Sequence, residues 1–189
     1  TLVRIITGVY PKDQGTIKIN GKKIEIHNPY ESRMIHKIAY VSQESTLCPD
    51  LSVAENIFLG NWKKGKFNLV DWKTSINESD LFIKQLGLNL SSKTLVKHLR
   101  SADRQLVEIA RALSIESDIL LLDEPTSWLS EKEKVFLFEK IKALKERGVG
   151  IVFISHFLEE VLKISNRIHV LRDGKTVGVI ENKGITRDE

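Results

Sequence analysis

Residues 120–130 read LLLDEPTSWLS: three leucines followed at once by two adjacent carboxylates, Asp123 and Glu124. A run of large aliphatics belongs in a buried strand, and "DILLLD" is read as one. Two like charges at the mouth of a core repel each other and resist desolvation. Either the pair sits on a solvated strand-to-helix turn stiffened by Pro125, or something cationic meets it.

Working outward, the second half of the chain alternates helix and strand with short connections. RQLVEIARAL (104–113) places Leu106, Ile109, Ala110 and Leu113 at helical spacing. In SEKEKVFLFEKIKALKERG (130–148), Ser130 and Glu133 form a capping box, and Val135, Phe138, Ile141 and Leu144 line one face. Lys145 and Arg147 complement the helix dipole before Gly148. GIVFISH (150–156) reads as another buried strand, FLEEVLKIS as a helix, RIHVL as a strand and DGKTVGVI as a closing hairpin. Strands alternating with helices predict an α/β fold with a largely parallel sheet covered on both faces.

The first half differs in texture. TLVRIITGVYP resembles the tail of a helix: Leu2, Ile5 and Ile6 share a face, Gly8 ends it and Pro11 prevents its continuation. Ile17 and Ile19, then Ile24 and Ile26, flank an Asn20-Gly21 turn, the strongest hairpin signal present. IAYVSQ is a short strand ending at Gln43. From Glu44 to about Leu99 the helical patterns SVAENIFLG and DWKTSINESDLFIKQLG, joined by a polar connector near NWKKGK, predict a mostly helical subdomain inserted in a single domain over 1–189.

Asp-Glu pairs are common on surfaces, a histidine after a strand is usually structural, and a glutamine at a strand end needs no ligand. Yet Gln43, Asp123-Glu124 and His156 each close a strand, and ligands bind beyond the carboxyl ends of strands in open parallel sheets. Phosphate chemistry has separate uses for such groups: one acid holds Mg²⁺, usually through water, and a second positions or deprotonates the attacking water.

AYVSQE (39–44), LRSADRQLVEIARAL (99–113), ILLLDEPTSWLS (119–130) and VFISH (152–156) resemble, in that order, the Q-loop, signature helix, Walker B with D-loop, and switch histidine of ABC transporter ATPases. ITGVYPKDQGTIKINGK, LSVAENIFLG, QLVEIARALS and GVGIVFISHFLEEVLKISNRIHVLRDGK further resemble the first ATPase half of monosaccharide importers of ribose, xylose or galactose type. The resemblance covers essentially the whole chain. It implies a P-loop NTPase fold with a small antiparallel part and an ATP- and Mg²⁺-dependent hydrolase. Glu124 is then the general base, Asp123 and Gln43 help to hold Mg²⁺, and His156 contacts the γ-phosphate. Arg100, Ser101, Ala102, Asp103 and Ser130 face nucleotide across a domain interface. The implied partners are a second ATPase half fused in tandem, transmembrane permease subunits met near STLCPDLSVAENI, and indirectly a sugar-binding protein. The implied place is the cytoplasmic face of the membrane.

Three departures stand out. No G-x-x-x-x-G-K-[ST] phosphate loop occurs in the 189 residues. TLVRIITG resembles the helix just after that motif, so the expectation is a fragment clipped at both ends that alone neither binds MgATP well nor hydrolyses it. In the signature, Arg100 stands where the family has serine and Asp103 where importers often have glutamine. The hydroxyl contact is lost, while a guanidinium can still reach phosphate and Asp103 repels it. In the D-loop, Ser130 replaces the common aspartate and Trp128 a small residue. Trp128 is expected to pack on its own subdomain, the other reading being an interface anchor.

Composition fits this picture and limits others. The chain is 41% hydrophobic and 29% charged, with no apolar run approaching the ~20 residues that cross a bilayer. Cys48 is the only cysteine, which excludes a disulfide framework and suits a packed small hydrophobe. His27, His36, His98 and His169 show no metal-ligand spacing. The net charge of +4 reads as solvated surface charge, no lysine or arginine stripe interleaved with aromatics being evident, and no nucleic-acid partner is expected. The alternatives are an ABC-type ATPase in DNA repair or translation, against which the short Gln43–Leu99 interval without sustained heptads argues, and a regulatory module that holds nucleotide without turnover, against which Glu124 argues.

Overall fold

The structure, a computed structural model, describes residues 2–85 and 87–184. Its centre is a parallel sheet of three strands: β3 (Ile38–Val41), β4 (Ile119–Asp123) and β5 (Gly150–Ile154), with β4 in the middle. The leucines of β4 alternate sides, as a pleated strand requires. Leu120 and Leu122 point into the main core, built with α2 (Val53–Phe58), α4 (Ser101–Leu113) and α5 (Glu131–Glu146). Leu121 points the other way, toward Ile38 and Val3 of the short α1 (Leu2–Ile6). All three leucines are almost completely buried, so the apolar run is explained by burial on both faces.

Two antiparallel hairpins complete the β structure. β1 (Ile17–Ile19) and β2 (Lys22–Ile24) meet through Asn20 and Gly21, both at positive φ, the turn that Asn-Gly favours. β6 (Arg167–Arg172) pairs with β7 (Lys175–Glu181) and not with the parallel sheet, so RIHVL extends a hairpin rather than the central sheet. The expected buried character of GIVFISH is also corrected. β5 has a strand neighbour on one side only among the described residues, and Val152 stays 43% exposed.

The helices follow their sequence signals with two shifts of phase. In α1 the buried residue is Val3, while Leu2 is exposed. In α5 the buried face is Leu137, Phe138 and Ile141, and Val135 is exposed. Capping boxes open α2 at Ser52 with Glu55, and α5 at Ser130 with Glu133. Between 44 and 99 lie α2 and α3 (Trp72–Gln85), joined by a turn closed by bonds from Asp71 N to Lys63 O and from Gly65 N to Leu69 O. Phe58 of α2 is fully buried edge-to-face against Phe82 of α3. Both helices pack into the same apolar core as α4 and the sheet.

Candidate functional site at the strand ends

Parallel register decides where the polar residues gather. Val41, Leu122 and Phe153 stand in line across the sheet, so all three strands leave it at one edge. Gln43, Glu124 and His156 follow within a few residues of that line. At Glu124 the backbone turns into the left-handed region, φ 47°, with its N–H still donating to Ile154 O at 2.9 Å. A non-glycine residue held there is strained, and such strain clusters at functional sites.

This turn separates the two carboxylates. Asp123 remains on the strand, half buried, where Oδ2 accepts a long hydrogen bond from the Tyr40 hydroxyl at 3.4 Å. Glu124 swings between the flanking loops. Its Oε2 accepts from Gln43 Nε2 at 3.3 Å and from Ser127 Oγ at 3.4 Å, and its Oε1 lies 3.1 Å from His156 Nδ1. The adjacent acids therefore share no hydrogen-bond partner, and each carries its charge in a different setting.

Burial, reinforced by the Asp123 carboxylate, pushes the Tyr40 phenol up to about 12 from 10.0. The neutral phenol is thus favoured by the fold. Its stabilising contribution is fully present below pH 10.0 and is lost as pH rises through about 12. Absorbance titration of phenolate should show a component near pH 12 that Tyr40→Phe removes. If the substitution leaves the titration curve unchanged there, the Tyr40–Asp123 pairing is wrong.

Around the strand ends, buried charges tie loops to helices. Glu160, in the first turn of α6 (Leu158–Ile164), accepts from Thr126 Oγ1 at 2.7 Å and Ser155 Oγ at 3.0 Å, and its other oxygen stands 3.2 Å from Lys134 Nζ. Glu108 of α4 is 1% exposed and accepts from Thr46 N at 2.5 Å, just beyond Gln43, with Arg111 bonded to Thr46 through its hydroxyl and carbonyl oxygens. Desolvation lowers the Arg111 pKa against the pull of Glu108. Sequence reading missed these groups. Glu108, an acid set between the apolar Val107 and Ile109 in the middle of α4, was the one visible signal.

The remaining sequence-predicted residues lie elsewhere. Arg100 precedes α4 and forks onto Asp103, with Nε–Oδ2 at 2.9 Å and Nη2–Oδ1 at 3.0 Å. The two side chains thus partner each other, a pairing that the reading of each against a phosphate did not include. Ser101 opens α4 exposed, and Ala102 packs against the core. Ser130 caps α5 through Glu133. Among the described residues no hydrogen bond or ion pair joins Arg100, Ser101, Ala102, Asp103 or Ser130 to the Glu124 cluster. Trp128 is 62% exposed, which corrects the expectation that it packs on its own subdomain. Among the described residues no group of three or more His, Cys, Asp or Glu is placed to hold a metal ion.

The sequence profile of the family described as ABC transporter matches residues 1–127. The chain belongs to the ABC transporter family. Its full length is 44% identical to the ribose import ATP-binding protein RbsA of Caldanaerobacter subterraneus subsp. tengcongensis, covering 38% of that protein. It is 40% identical, again over its full length, to a putative ribose/galactose/methyl galactoside import ATP-binding protein of Burkholderia lata, covering 36% of it. The chain thus spans less than two-fifths of these curated ABC relatives. Among solved structures, a dimeric ATP-binding cassette in a post-hydrolysis state with ADP and Pi superposes with a TM-score of 0.83 at 24% identity, covering 97% of this chain and 80% of that one. A nucleotide-free cassette gives 0.79 at 22% identity, covering 95% of this chain and 74% of the other. The fold is that of the ABC ATPases, and α1 through β7 are its parts.

Proposed function

We propose that the chain is the water-activating part of the ATPase subunit of a monosaccharide ABC importer, in which ATP hydrolysis drives sugar uptake. The observation that carries the hydrolytic reading is Glu124, held at positive φ between Gln43 and His156 at the carboxyl edge of the sheet. Support for sugar import comes from relatives named for ribose and galactose import that match over the whole chain.

In this reading Glu124 is the general base. Its carboxylate accepts the proton of the attacking water while Gln43 and His156 hold its two oxygens in place. The residues fit Mg²⁺, which takes one or two carboxylates and completes its shell with water and phosphate oxygens. Asp123, with one long hydrogen bond, and Gln43, whose amide nitrogen already faces Glu124, would hold it. When bound, the ion neutralises charge on the β- and γ-phosphates. His156 donating from Nδ1 to Glu124 can also donate to a phosphate oxygen from Nε2 only as the imidazolium. The paired Arg100 and Asp103, with Ser101 and Ala102, are assigned to an interface with a second ATPase half, and exposed Trp128 to the same side. Residues 44–99 are assigned as the helical subdomain that meets the permease, all at the cytoplasmic face of the membrane.

Disruption of the gene tests the transport reading. Uptake of one ribose- or galactose-type sugar at low concentration should be lost and return with the intact gene. Unchanged uptake of every such sugar would contradict it.

A further inference from the structure

The catalytic reading uses Glu124 and His156 but does not explain what holds their two loops at a fixed separation. Glu160 does not touch the reacting groups, yet it is buried, and a buried carboxylate is costly unless its partners are specific. One oxygen, Oε2, accepts from Thr126, two residues beyond Glu124, and from Ser155, one residue before His156. The Ser155 oxygen in turn accepts from Phe157 N at 3.0 Å, so the Ser155 hydroxyl brackets His156 from both sides. Lys134 of α5 balances the charge at Oε1, and α6 carries the carboxylate in its first turn, where the helix dipole favours an anion.

We propose that Glu160 is a positioning residue for the hydrolytic pair. Its single carboxylate pins the loop after β4 and the loop after β5 to one point, and so sets the distance across which Glu124 and His156 meet. The inference rests on the proposed ATP hydrolysis. It differs from a purely structural role because the effect must pass through Glu124 and His156.

The test uses the intact protein. Glu160→Ala is expected to lower kcat roughly 10–100-fold, with KM for ATP within about threefold, because a displaced catalytic group costs turnover more than ground-state binding. Glu160→Gln keeps an acceptor for both hydroxyls and is expected to restore most of the rate. In a Glu124→Gln/His156→Ala background, Glu160→Ala should add nothing. An equal loss in both backgrounds, or a rise in KM without a fall in kcat, would overturn the proposal. Should Glu160→Ala not fold, Thr126→Val and Ser155→Ala each remove one hydrogen bond to Glu160, the second also the one from Phe157 N, and unchanged kcat in both would overturn it.

NMR titration of the His156 ring is independent of turnover. Its resonances should move with Glu160→Ala and return toward wild type with Glu160→Gln. A wild-type protein without ATPase activity would sink the hydrolytic reading alone. An unmoved His156 ring would sink the positioning role whatever the turnover.

Discussion

Glu124→Gln in the intact protein is expected to lower ATP turnover by about 10²–10³-fold, the usual contribution of a positioned general base. Binding of ATP should change little, because glutamine fills the same space and can still pair with Gln43 Nε2 through its own carbonyl oxygen. The substitution removes the charge that accepts the proton and leaves the left-handed turn and its bond to Ile154 intact. Steady-state phosphate release checks the rate, and equilibrium binding of ATP checks the other half of the expectation. A variant that keeps more than a third of wild-type turnover, by that ~10² scale, would remove Glu124 from the chemistry. A loss of both binding and folding would point to a structural part instead.

Phe58→Ala should have the largest effect on stability. Phe58 is fully buried, packs edge-to-face on Phe82 at 6.5 Å between centroids, and carries Lys63 Nζ 5.3 Å over its ring. Truncating a buried phenylalanine costs about 3–5 kcal/mol, a large share of the ~5–15 kcal/mol that holds a typical domain together. The loss should appear as a lower urea midpoint of the intact protein. Glu124→Gln, on a half-buried strand end, should leave that midpoint nearly unchanged. Together the two variants separate the core from the chemistry: one weakens the fold, the other stops turnover in a stable protein. A Phe58→Ala midpoint equal to that of wild type would show that α2 and α3 do not share the main core.

What could be read in the residues was local. The leucine run of β4, the Asn20-Gly21 turn and the Ser130–Glu133 box each declare themselves within a few positions, and each stands where it was expected. Helix phase was less secure. Val3 rather than Leu2, and Leu137 rather than Val135, face the core, because a stripe near 3.6 residues per turn leaves adjacent apolar positions competing for one face. The half-exposed face of β5 was illegible, since a strand's burial is set by neighbours that the strand itself does not encode. Trp128 misled for a related reason: its size argues for burial, and only the surrounding packing shows that it stays outside.

The site divides in the same way. Gln43, Asp123, Glu124 and His156 were legible as candidates because each closes a recognisable strand, and the parallel register then brings Gln43, Glu124 and His156 together. The groups that support them were missed because their partners are remote. Tyr40 lies 83 residues from Asp123, Thr46 lies 62 from Glu108, and Thr126 lies 34 from Glu160. Nothing in a polar residue's own neighbourhood announces a partner at that distance. The Arg100–Asp103 fork was the opposite case. Its two residues lie three positions apart where α4 begins, close enough for their side chains to meet, yet each residue was weighed singly against a phosphate.

The measurement that bears most directly on the hydrolytic assignment is a crystal structure of the intact protein with MgADP and vanadate. The expected result is Glu124 in hydrogen-bond reach of the apical vanadate oxygen, Gln43 and Asp123 on the metal side, and His156 on an equatorial oxygen. A Glu124 carboxylate turned away from vanadate, still bonded only to Gln43, Ser127 and His156, would contradict it.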